Sequence, residues 1–263
     1  MTKALLERLR QGHHTMRYPA GAPPELPKRY RGLPILDDSK CSTECQSCVD
    51  ACPTDAINRN GHTKIDLGRC LFCVECQTAC PHDSIEFTRD YRLSTRTRSA
   101  LETSNRELQL AEALDSKLRR IFGRSLKLRQ VSAGGCGACE ADVNVLGTIG
   151  WDLGRFGIQL VASPRHADGI LVTGCVTENM KIALEETYAA VPSPKIVIAV
   201  GACAISGGPF LHNPQQLGGA SSVVPVDLFV PGCPPHPLTI LDGLLRLLGR
   251  LDEKQQPKAE KHS

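Results

Sequence analysis

The sequence predicts an α/β protein in two parts, a small cysteine-rich domain followed by a larger domain with a mostly parallel sheet. Two observations support this prediction. Eight of the thirteen cysteines fall within residues 36–90, where the chain contains an internal repeat. From about residue 125, short β-branched or apolar runs alternate with helical patterns, which is typical of parallel strands covered by helices.

Composition divides the chain into five segments. They are a Pro-rich extended arm (1–35), the cysteine-rich domain (36–90), a helical linker (91–124), the α/β domain (125–250) and a polar tail (251–263). The arm begins with a short helical pattern and is expected to run along a partner surface. The tail lacks apolar residues that could hold it to a core.

The linker is predicted to be an amphipathic helix docked on the α/β domain, because apolar residues recur at helical spacing among Lys and Arg. These are Leu110, Leu114, Leu118, Ile121 and Phe122. Beyond it, five runs predict strands: LKLRQV from 126, IQLVA from 158, GILVTG from 169, KIVIAVGA from 195 and VDLFV from 226. Helices are expected near 177–190 and 236–250.

The overall composition is that of an ordinary globular protein, with 41% hydrophobic and 22% charged residues. A net charge of +3 and few aromatic residues give no support for nucleic-acid binding. No apolar run reaches the length of about 18 residues that spans a membrane, and residues 1–15 lack the apolar core of a secretory signal. A cytoplasmic location is therefore expected, where clustered cysteines indicate metal ligands or redox groups.

The eight cysteines of residues 36–90 form two runs in the same order. Cys45, Cys48 and Cys52 recur 28 residues later as Cys73, Cys76 and Cys80, and Cys41 recurs 29 residues later as Cys70. The second run has the spacing of bacterial [4Fe–4S] ferredoxins, in which the cysteine before proline ligates the other cluster. The predicted ligand sets are Cys41, Cys45, Cys48 and Cys80 for one cluster, and Cys70, Cys73, Cys76 and Cys52 for the other.

Two features qualify this prediction. Three residues instead of two separate Cys41 from Cys45, which departs from the usual ferredoxin loop. A pair of zinc sites is the alternative, since Zn²⁺ also binds four thiolates, but zinc sites usually combine two CxxC units. The two runs favour a ferredoxin domain with two clusters.

The remaining five cysteines follow predicted strands. Cys136 and Cys139 form a CxxC motif among glycines, and Cys203 and Cys233 lie just past two later strands. Strand ends meet at one edge of a parallel sheet, so these cysteines can converge on one cluster. A CxxC motif is also consistent with a redox dithiol or half a zinc site, and Cys175 follows a strand too.

Residues 125–250 resemble the small subunit of membrane-associated, energy-converting [NiFe] hydrogenases of the formate-hydrogenlyase kind. The matching segments are RSLKLRQVSAGGCGACEADV, RFGIQLVASPRHADGILVTG, PKIVIAVGACAISGG and VPVDLFVPGCPPHPLTILDGLL. That module is homologous to the cluster-carrying subunit next to the quinone site of complex I. Residues 1–90 similarly resemble the ferredoxin subunit of that complex, so the chain looks like a fusion of the two.

The resemblance implies a flavodoxin-like α/β domain and a proximal [4Fe–4S] cluster. Its implied ligands are Cys136, Cys139, Cys203 and Cys233, which makes three clusters in total and leaves Cys175 as a buried thiol that is not a ligand. The complex I subunit has two adjacent cysteines where this chain has Cys136-Gly-Ala-Cys139. This spacing is similar to that of the hydrogenase branch.

Several further residues are candidates with two interpretations each. Glu140 and Asp142 follow the second proximal ligand, either as a proton relay or as acids favoured by a helix N-terminus. Arg165 and His166 match a family motif near the cluster, where they would tune it or form an interfacial salt bridge. His236 is expected to donate to a cluster sulfur or to lie beneath the final helix.

Residues 196–241 contain a single charged residue, Asp227, which indicates a buried core together with an uncharged face against a large subunit. A buried core alone is the alternative. No nickel ligand set is visible, so any active site is expected on a partner.

The resemblance therefore implies an iron–sulfur electron-transfer subunit of an oxidoreductase complex at the inner face of the cell membrane. Its expected partners are a [NiFe] hydrogenase-like large subunit, membrane-arm subunits and an electron-donor module. Two other hypotheses stay open. One is a complex I-like oxidoreductase whose partner lacks nickel, and the other is a free-standing ferredoxin-type carrier.

Overall fold

The computed structural model describes residues 2–12, 14–42, 44–60, 62–104 and 108–251. The predicted polar tail therefore lies outside the described residues, apart from Leu251. Within these ranges, no helix combines the length and the apolar character needed to cross a bilayer.

The first half of the chain consists of short elements around the two cysteine runs. They are α1 (Thr2–Gln11), β1 (Pro34–Leu36), α2 (Ser47–Asp50), β2 (Ile57–Asn60), β3 (His62–Asp66), α3 (Glu75–Thr78), β4 (Ile85–Phe87), β5 (Glu102–Thr103) and α4 (Ser116–Phe122). β1 pairs with β4, while β2, β3 and β5 form a second antiparallel sheet. The sequence repeat is also a structural repeat, because α2 and β2 begin 28 residues before α3 and β4.

The second half is an open parallel α/β domain. Its elements are β6 (Leu126–Ser132), α5 (Ala138–Val145), β7 (Ile158–Leu160), β8 (Gly169–Thr173), α6 (Glu178–Ala190), β9 (Ile196–Val200), α7 (Ala202–Ser206), β10 (Leu228–Val230) and α8 (Pro237–Leu247). The strand order is β10-β9-β8-β6-β7, with every pair parallel. Counted within the domain, this is the flavodoxin-like order 2-1-3-4-5, so the predicted fold class is confirmed.

The centre of the sheet is buried from both sides. Every residue of β8 and β9 is buried, as their uninterrupted apolar sequences predict. α8 covers one face, and all of its residues are buried, including Asp242 and Arg246. The carboxyl ends of the parallel strands β6, β8, β9 and β10 therefore lie at one edge of the sheet, and the buried core holds that edge in place.

The prediction of a helix across residues 91–124 is wrong for most of that segment. Asp115 begins α4 by accepting hydrogen bonds from the backbone N–H groups of Lys117 and Leu118. Before it the chain is extended, since Thr95 pairs with Phe229 beside β10 and Leu114 N–H donates to Leu247 O. These backbone groups bond to other elements, which prevents the helix that the leucine spacing suggested.

The arm packs on the chain's own α/β domain, which corrects the expectation that it lies along a partner surface. Tyr18 is buried, and its hydroxyl donates to Asp242 in α8. Further along, the Tyr30 hydroxyl lies 3.3 Å from Oγ1 of Thr239. The side chain of Arg155 also donates to the carbonyls of Met16 and Tyr18. The arm thus packs against α8 and the loop before it.

The two halves share one apolar core. Ile65 and Leu67 of the cysteine-rich half belong to the same buried cluster as Val172 and Ile205 of the α/β half. The Ser206 hydroxyl also donates a 2.8 Å hydrogen bond to Gly68 O. Because apolar and polar contacts both cross the boundary, the two cysteine-rich regions are held in a fixed relation.

The uncharged stretch 196–241 contains both buried and exposed parts. β9, α7 and β10 are buried, whereas residues 209–215 are largely exposed, including Phe210 with 41% of its surface accessible. Cys233 and Pro234 are exposed as well. The stretch thus contributes an exposed segment without charged residues, together with Cys233 and Pro234 beyond the end of β10.

Candidate iron–sulfur centres

The first predicted ligand set draws on both cysteine runs. Burial raises the pKa of the Cys48 thiol, and the charges of Cys41 and Cys80 raise it further. Cys80 in turn interacts electrostatically with Cys45. Four thiols separated by up to 39 residues therefore lie within electrostatic range of one another, although the fourth comes from the other run.

The second set combines three cysteines of the second run with Cys52 of the first run. Burial raises the pKa of the Cys70 thiol, with further increases from the charges of Cys76, Cys52 and Cys73. Burial likewise raises the pKa of Cys76 to about 12, again with contributions from Cys52 and Cys73. The Cys80 thiol thus lies near the first run and the Cys52 thiol near the second, and ferredoxin spacing predicts this exchange of the fourth ligand.

Backbone donors reach the sulfurs at equivalent positions of the repeat. Ala56 N–H donates to Cys52 Sγ at 3.2 Å, and Ser84 N–H donates to Cys80 Sγ at 3.3 Å. These pairs are related by the same 28-residue shift. Hydrogen bonds of this kind favour the thiolate, which is the form that binds a metal.

One cation beside the first set is not evident from the sequence. Arg59 in β2 donates from Nη2 to Ser42 O at 2.9 Å and from Nη1 to Cys45 O. Its charge also acts on the thiols of Cys45 and Cys48. Because β2 pairs with β3 and curves back over the loop, this contact depends on tertiary structure that spacing alone does not reveal.

The third set lies at the carboxyl edge of the parallel sheet. Cys136 is in the β6–α5 connection, Cys139 is in the first turn of α5, Cys203 is in α7, and Cys233 follows β10. Burial raises the pKa of Cys139, and the charges of Cys203, Cys233 and Cys136 raise it further. The four cysteines that the resemblance implies therefore converge, from the segments that follow β6, β9 and β10.

Glycines allow the backbone to approach these sulfurs closely. A Cβ added at Gly201 would lie 2.5 Å from Cys139 Sγ, and one added at Gly208 would lie 2.9 Å from Cys203 Sγ. Both glycines have positive φ, at +91° and +54°. Side chains there would occupy the space in which the cysteines gather.

The donor chemistry of all three sets fits iron–sulfur clusters. Each set offers four thiols and no hard oxygen ligand, and soft thiolates are the ligands that such clusters use. Burial raises the pKa of the Cys48, Cys70, Cys76, Cys139, Cys203 and Cys233 thiols, and a bound cationic centre would favour the thiolate instead. Zinc would need four thiolates at about 2.3 Å from one ion. No three His, Cys, Asp or Glu side chains of the described ranges are grouped to hold a single ion.

The second set lies close to both of the others. The charge of Cys48 in the first set acts on Cys76 in the second. The charge of Cys73 in the second set acts on Cys233 in the third. The second set is therefore the neighbour of both others, and Cys73, Cys136 and Cys233 are exposed at the surface.

Cys175 lies beside the third set and has a different hydrogen-bonding role. It is 3% exposed, and its thiol donates to Gly134 O at 3.3 Å. Burial raises the pKa of Cys203 to about 12, and Cys175 is one of three cysteines whose charges add to the increase. The pKa of Cys139, by contrast, is raised by burial and by the charges of Cys203, Cys233 and Cys136, and that of Cys233 by burial and the charge of Cys136.

The two acidic residues after Cys139 have different environments. Glu140 accepts hydrogen bonds from the hydroxyls of Ser132 and Thr173 at 2.5 and 2.7 Å. Burial raises its pKa, but these two hydrogen bonds outweigh burial and lower it overall. Asp142 lines a cavity of about 290 Å³ next to Cys233, and burial raises its pKa. The two hydroxyl donors thus favour the carboxylate form of Glu140.

The residues predicted to tune the third cluster, Arg165, His166 and His236, lie at opposite edges of the sheet. Arg165 and His166 precede β8, at the edge where the strands begin. The expectation that they lie near the third set is therefore wrong. Five residues of β8 separate the two edges by about 16 Å. His236 caps α8, because its Nδ1 accepts from Leu238 N–H at 3.1 Å, and its ring meets Tyr30 and Trp151 edge-on. Burial lowers its pKa.

Comparison with known proteins identifies the class. A family described as NADH ubiquinone oxidoreductase, 20 Kd subunit, matches residues 136–247, which include the whole third set. A second family, described as NosR, matches residues 39–86 and so covers both cysteine runs.

Individual relatives agree with the first family. The chain is 41% identical over 149 residues to a probable membrane-bound hydrogenase subunit, mbhJ, of Pyrococcus furiosus, covering 57% of this chain and 89% of that protein. It is 40% identical to formate hydrogenlyase subunit 7 of Escherichia coli, over a region that covers 54% of this chain and 56% of that protein. It is 44% identical to an NADH-quinone oxidoreductase subunit of Rubrobacter xylanophilus, over a region that covers 48% of this chain and 51% of that protein. The chain thus spans most of the first relative and about half of the other two.

The chain belongs to the family of the 20 Kd subunit of NADH ubiquinone oxidoreductase. Its named relatives include hydrogenase and formate hydrogenlyase subunits, so the resemblance predicted from the sequence is confirmed.

Proposed function

We propose that the chain is an iron–sulfur electron-transfer subunit of a membrane-associated [NiFe] hydrogenase-like complex. It would connect an electron-donor module with a [NiFe] centre on a separate large subunit, where protons are reduced or H₂ is oxidised. The observation that carries the proposal is the presence of three four-cysteine sets, of which the second neighbours both others and the third exposes Cys136 and Cys233 at the surface.

Each set would hold one [4Fe–4S] cluster, which supplies one-electron transfer when bound. The first set is Cys41, Cys45, Cys48 and Cys80, the second is Cys70, Cys73, Cys76 and Cys52, and the third is Cys136, Cys139, Cys203 and Cys233. The chain's own contribution is to position these thiols. Buried loops, glycine contacts and backbone N–H donors support that role.

The large subunit would dock on the surface formed by Cys136, Cys233, Pro234 and residues 209–215. Exposed cysteines beside an uncharged face support a protein interface there, since interface cores are poor in charged residues. Membrane-arm subunits and the donor module complete the proposed complex, which would sit at the inner face of the cell membrane.

A complex I-like oxidoreductase with a nickel-free partner is the second candidate. The relatedness to an NADH-quinone oxidoreductase subunit favours it. The separation of Cys136 from Cys139 by two residues favours the hydrogenase instead, because the complex I subunit is expected to have adjacent cysteines there.

Anaerobic purification of the chain with its bound partners, followed by metal analysis, tests the proposal. We expect about twelve irons per chain, from three four-iron clusters, and nickel in a co-purifying large subunit. A partner without nickel would select the complex I-like function. A stable monomer with all its iron would indicate a free-standing carrier, and stoichiometric zinc would rule out the clusters.

A further inference from the structure

α1 stands apart from the rest of the chain as an exposed helix. Its described side chains from Lys3 to Gln11 are all exposed, with Leu6 at 64% and Leu9 at 78% of their surface. Helices shorter than about 12–15 residues are marginal in water, so a ten-residue helix needs a surface that covers its apolar side. The two leucines mark that side.

The cations of α1 border the exposed leucines. Leu6 is three residues after Lys3 and four before Arg10, so both cations are its neighbours on the helix surface. Neither takes part in any ion pair of the described residues. An apolar strip with free cations along its edge complements an anionic lipid surface.

A second exposed apolar side chain lies where α1 joins the body of the protein. The Thr15 hydroxyl donates to Ile149 O at 3.1 Å, and Met16 N–H donates to Gly150 O at 2.9 Å. The Ile149 side chain is 75% exposed. An exposed apolar side chain therefore lies beside the hydrogen-bonded segment that directly follows α1.

The charge of the chain is concentrated in the same segment. Residues 1–17 contain four basic residues and one acidic residue, Glu7. The rest of the chain has equal numbers of both signs, so the whole formal charge of +3 resides in this segment. A protein groove could cover the leucines as well, but it would not explain why the excess positive charge is gathered beside them.

We propose that α1, together with Ile149, lies on an anionic lipid bilayer. Leu6, Leu9 and Ile149 enter the boundary between headgroups and acyl chains, while Lys3 and Arg10 contact the lipid phosphates. This identifies the lipid-contacting element of the membrane-associated subunit, and in that respect it rests on the proposed function. The bilayer also stabilises a helix that has no partner within the described part of the chain.

Co-sedimentation of the complete, cluster-loaded chain with vesicles tests this proposal. One set of vesicles contains phosphatidylcholine alone, and the other contains equal parts of phosphatidylcholine and phosphatidylglycerol. We expect the chain to sediment with the anionic vesicles only. Leu6→Asp combined with Leu9→Asp should reduce the bound fraction about tenfold or more, and Lys3→Gln combined with Arg10→Gln should also weaken binding.

Ile182→Asp is the matched control, since Ile182 is 69% exposed on α6 and should bind as the wild type does. Wild-type chain that stays in the supernatant, as expected if a protein groove covers α1, would overturn the proposal. Binding that survives the double leucine change would overturn it too. Iron content, measured on each sample, reports separately on the proposed clusters.

Discussion

The Tyr18 hydroxyl donates a 3.0 Å hydrogen bond to Oδ1 of Asp242, which joins the arm to α8 across 224 positions of sequence. Asp242 is completely buried, and Arg246 Nε donates to its other oxygen at 2.7 Å. Burial raises the pKa of Asp242, and Arg246 and Tyr18 counteract that increase. The arm thus supplies one of the hydrogen-bond donors that offset the cost of burying the Asp242 carboxylate.

Tyr18→Phe should destabilise the protein by about 1–3 kcal/mol, because it leaves one oxygen of a buried carboxylate without its donor. Anaerobic denaturant titration of the cluster-loaded chain measures this change in unfolding free energy. Tyr188→Phe provides the control, since Tyr188 is half-buried and its ring packs beside Lys195. Equal stabilities for the two variants would show that the Tyr18 hydroxyl contributes nothing to the packing of the arm.

Gly201→Ala should remove about four of twelve irons, because a Cβ at this position would lie 2.5 Å from Cys139 Sγ. The first two sets should keep their clusters. Gly218→Ala separates backbone strain from the contact, since Gly218 has φ of +79° with no atom within 4 Å of the added Cβ. That variant should cost about 1–2 kcal/mol in strain and lose no iron. Full iron content in Gly201→Ala would contradict the crowding argument.

Cys175→Ala should retain all three clusters, with about twelve irons per chain and an unchanged number of paramagnetic signals on reduction. The reason is that the Cys175 thiol donates to Gly134 O, while the charges of Cys203, Cys233 and Cys136 act on Cys139. Cys203→Ser is the positive control and should lose the proximal signal. Loss of that signal in Cys175→Ala would overturn the ligand assignment.

Arg59→Gln should make the first cluster harder to reduce, because it removes a cation from beside Cys45 and Cys48. A shift of roughly 20–60 mV to more negative potential is expected for the loss of one nearby charge. Redox titration followed by electron paramagnetic resonance measures it. Arg120→Gln, on the exposed surface of α4, should leave all potentials unchanged. An equal shift in both variants would point to a general charge effect.

Local patterns predicted much of the fold. The strands β6 to β10 were recognisable as short apolar runs, and the exchange of Cys52 and Cys80 between the two runs follows from ferredoxin spacing. In these cases the determining contacts are close in sequence or repeat at a fixed interval. The flavodoxin-like order came from the resemblance, since apolar runs do not specify which strands are neighbours.

Other features depended on distant contacts and could not be read from spacing. Leu110 and Leu114 matched a helical period, yet their segment bonds to α8 and runs beside β10. Arg165 and His166 were expected near the third set, but the β7–β8 connection returns to the start of the next strand. Arg59 was not recognised, because its partners are carbonyl groups in another loop.

The shared core of the two halves has a consequence for how the protein behaves on dilution. If the ferredoxin-like half were a separate polypeptide, the distance from Cys73 to Cys233 would depend on an association equilibrium. In a single chain with a common core, the two regions have a high effective concentration that no dilution can lower. Any transfer between them is then unimolecular, and its rate should not depend on how much of the protein the cell makes.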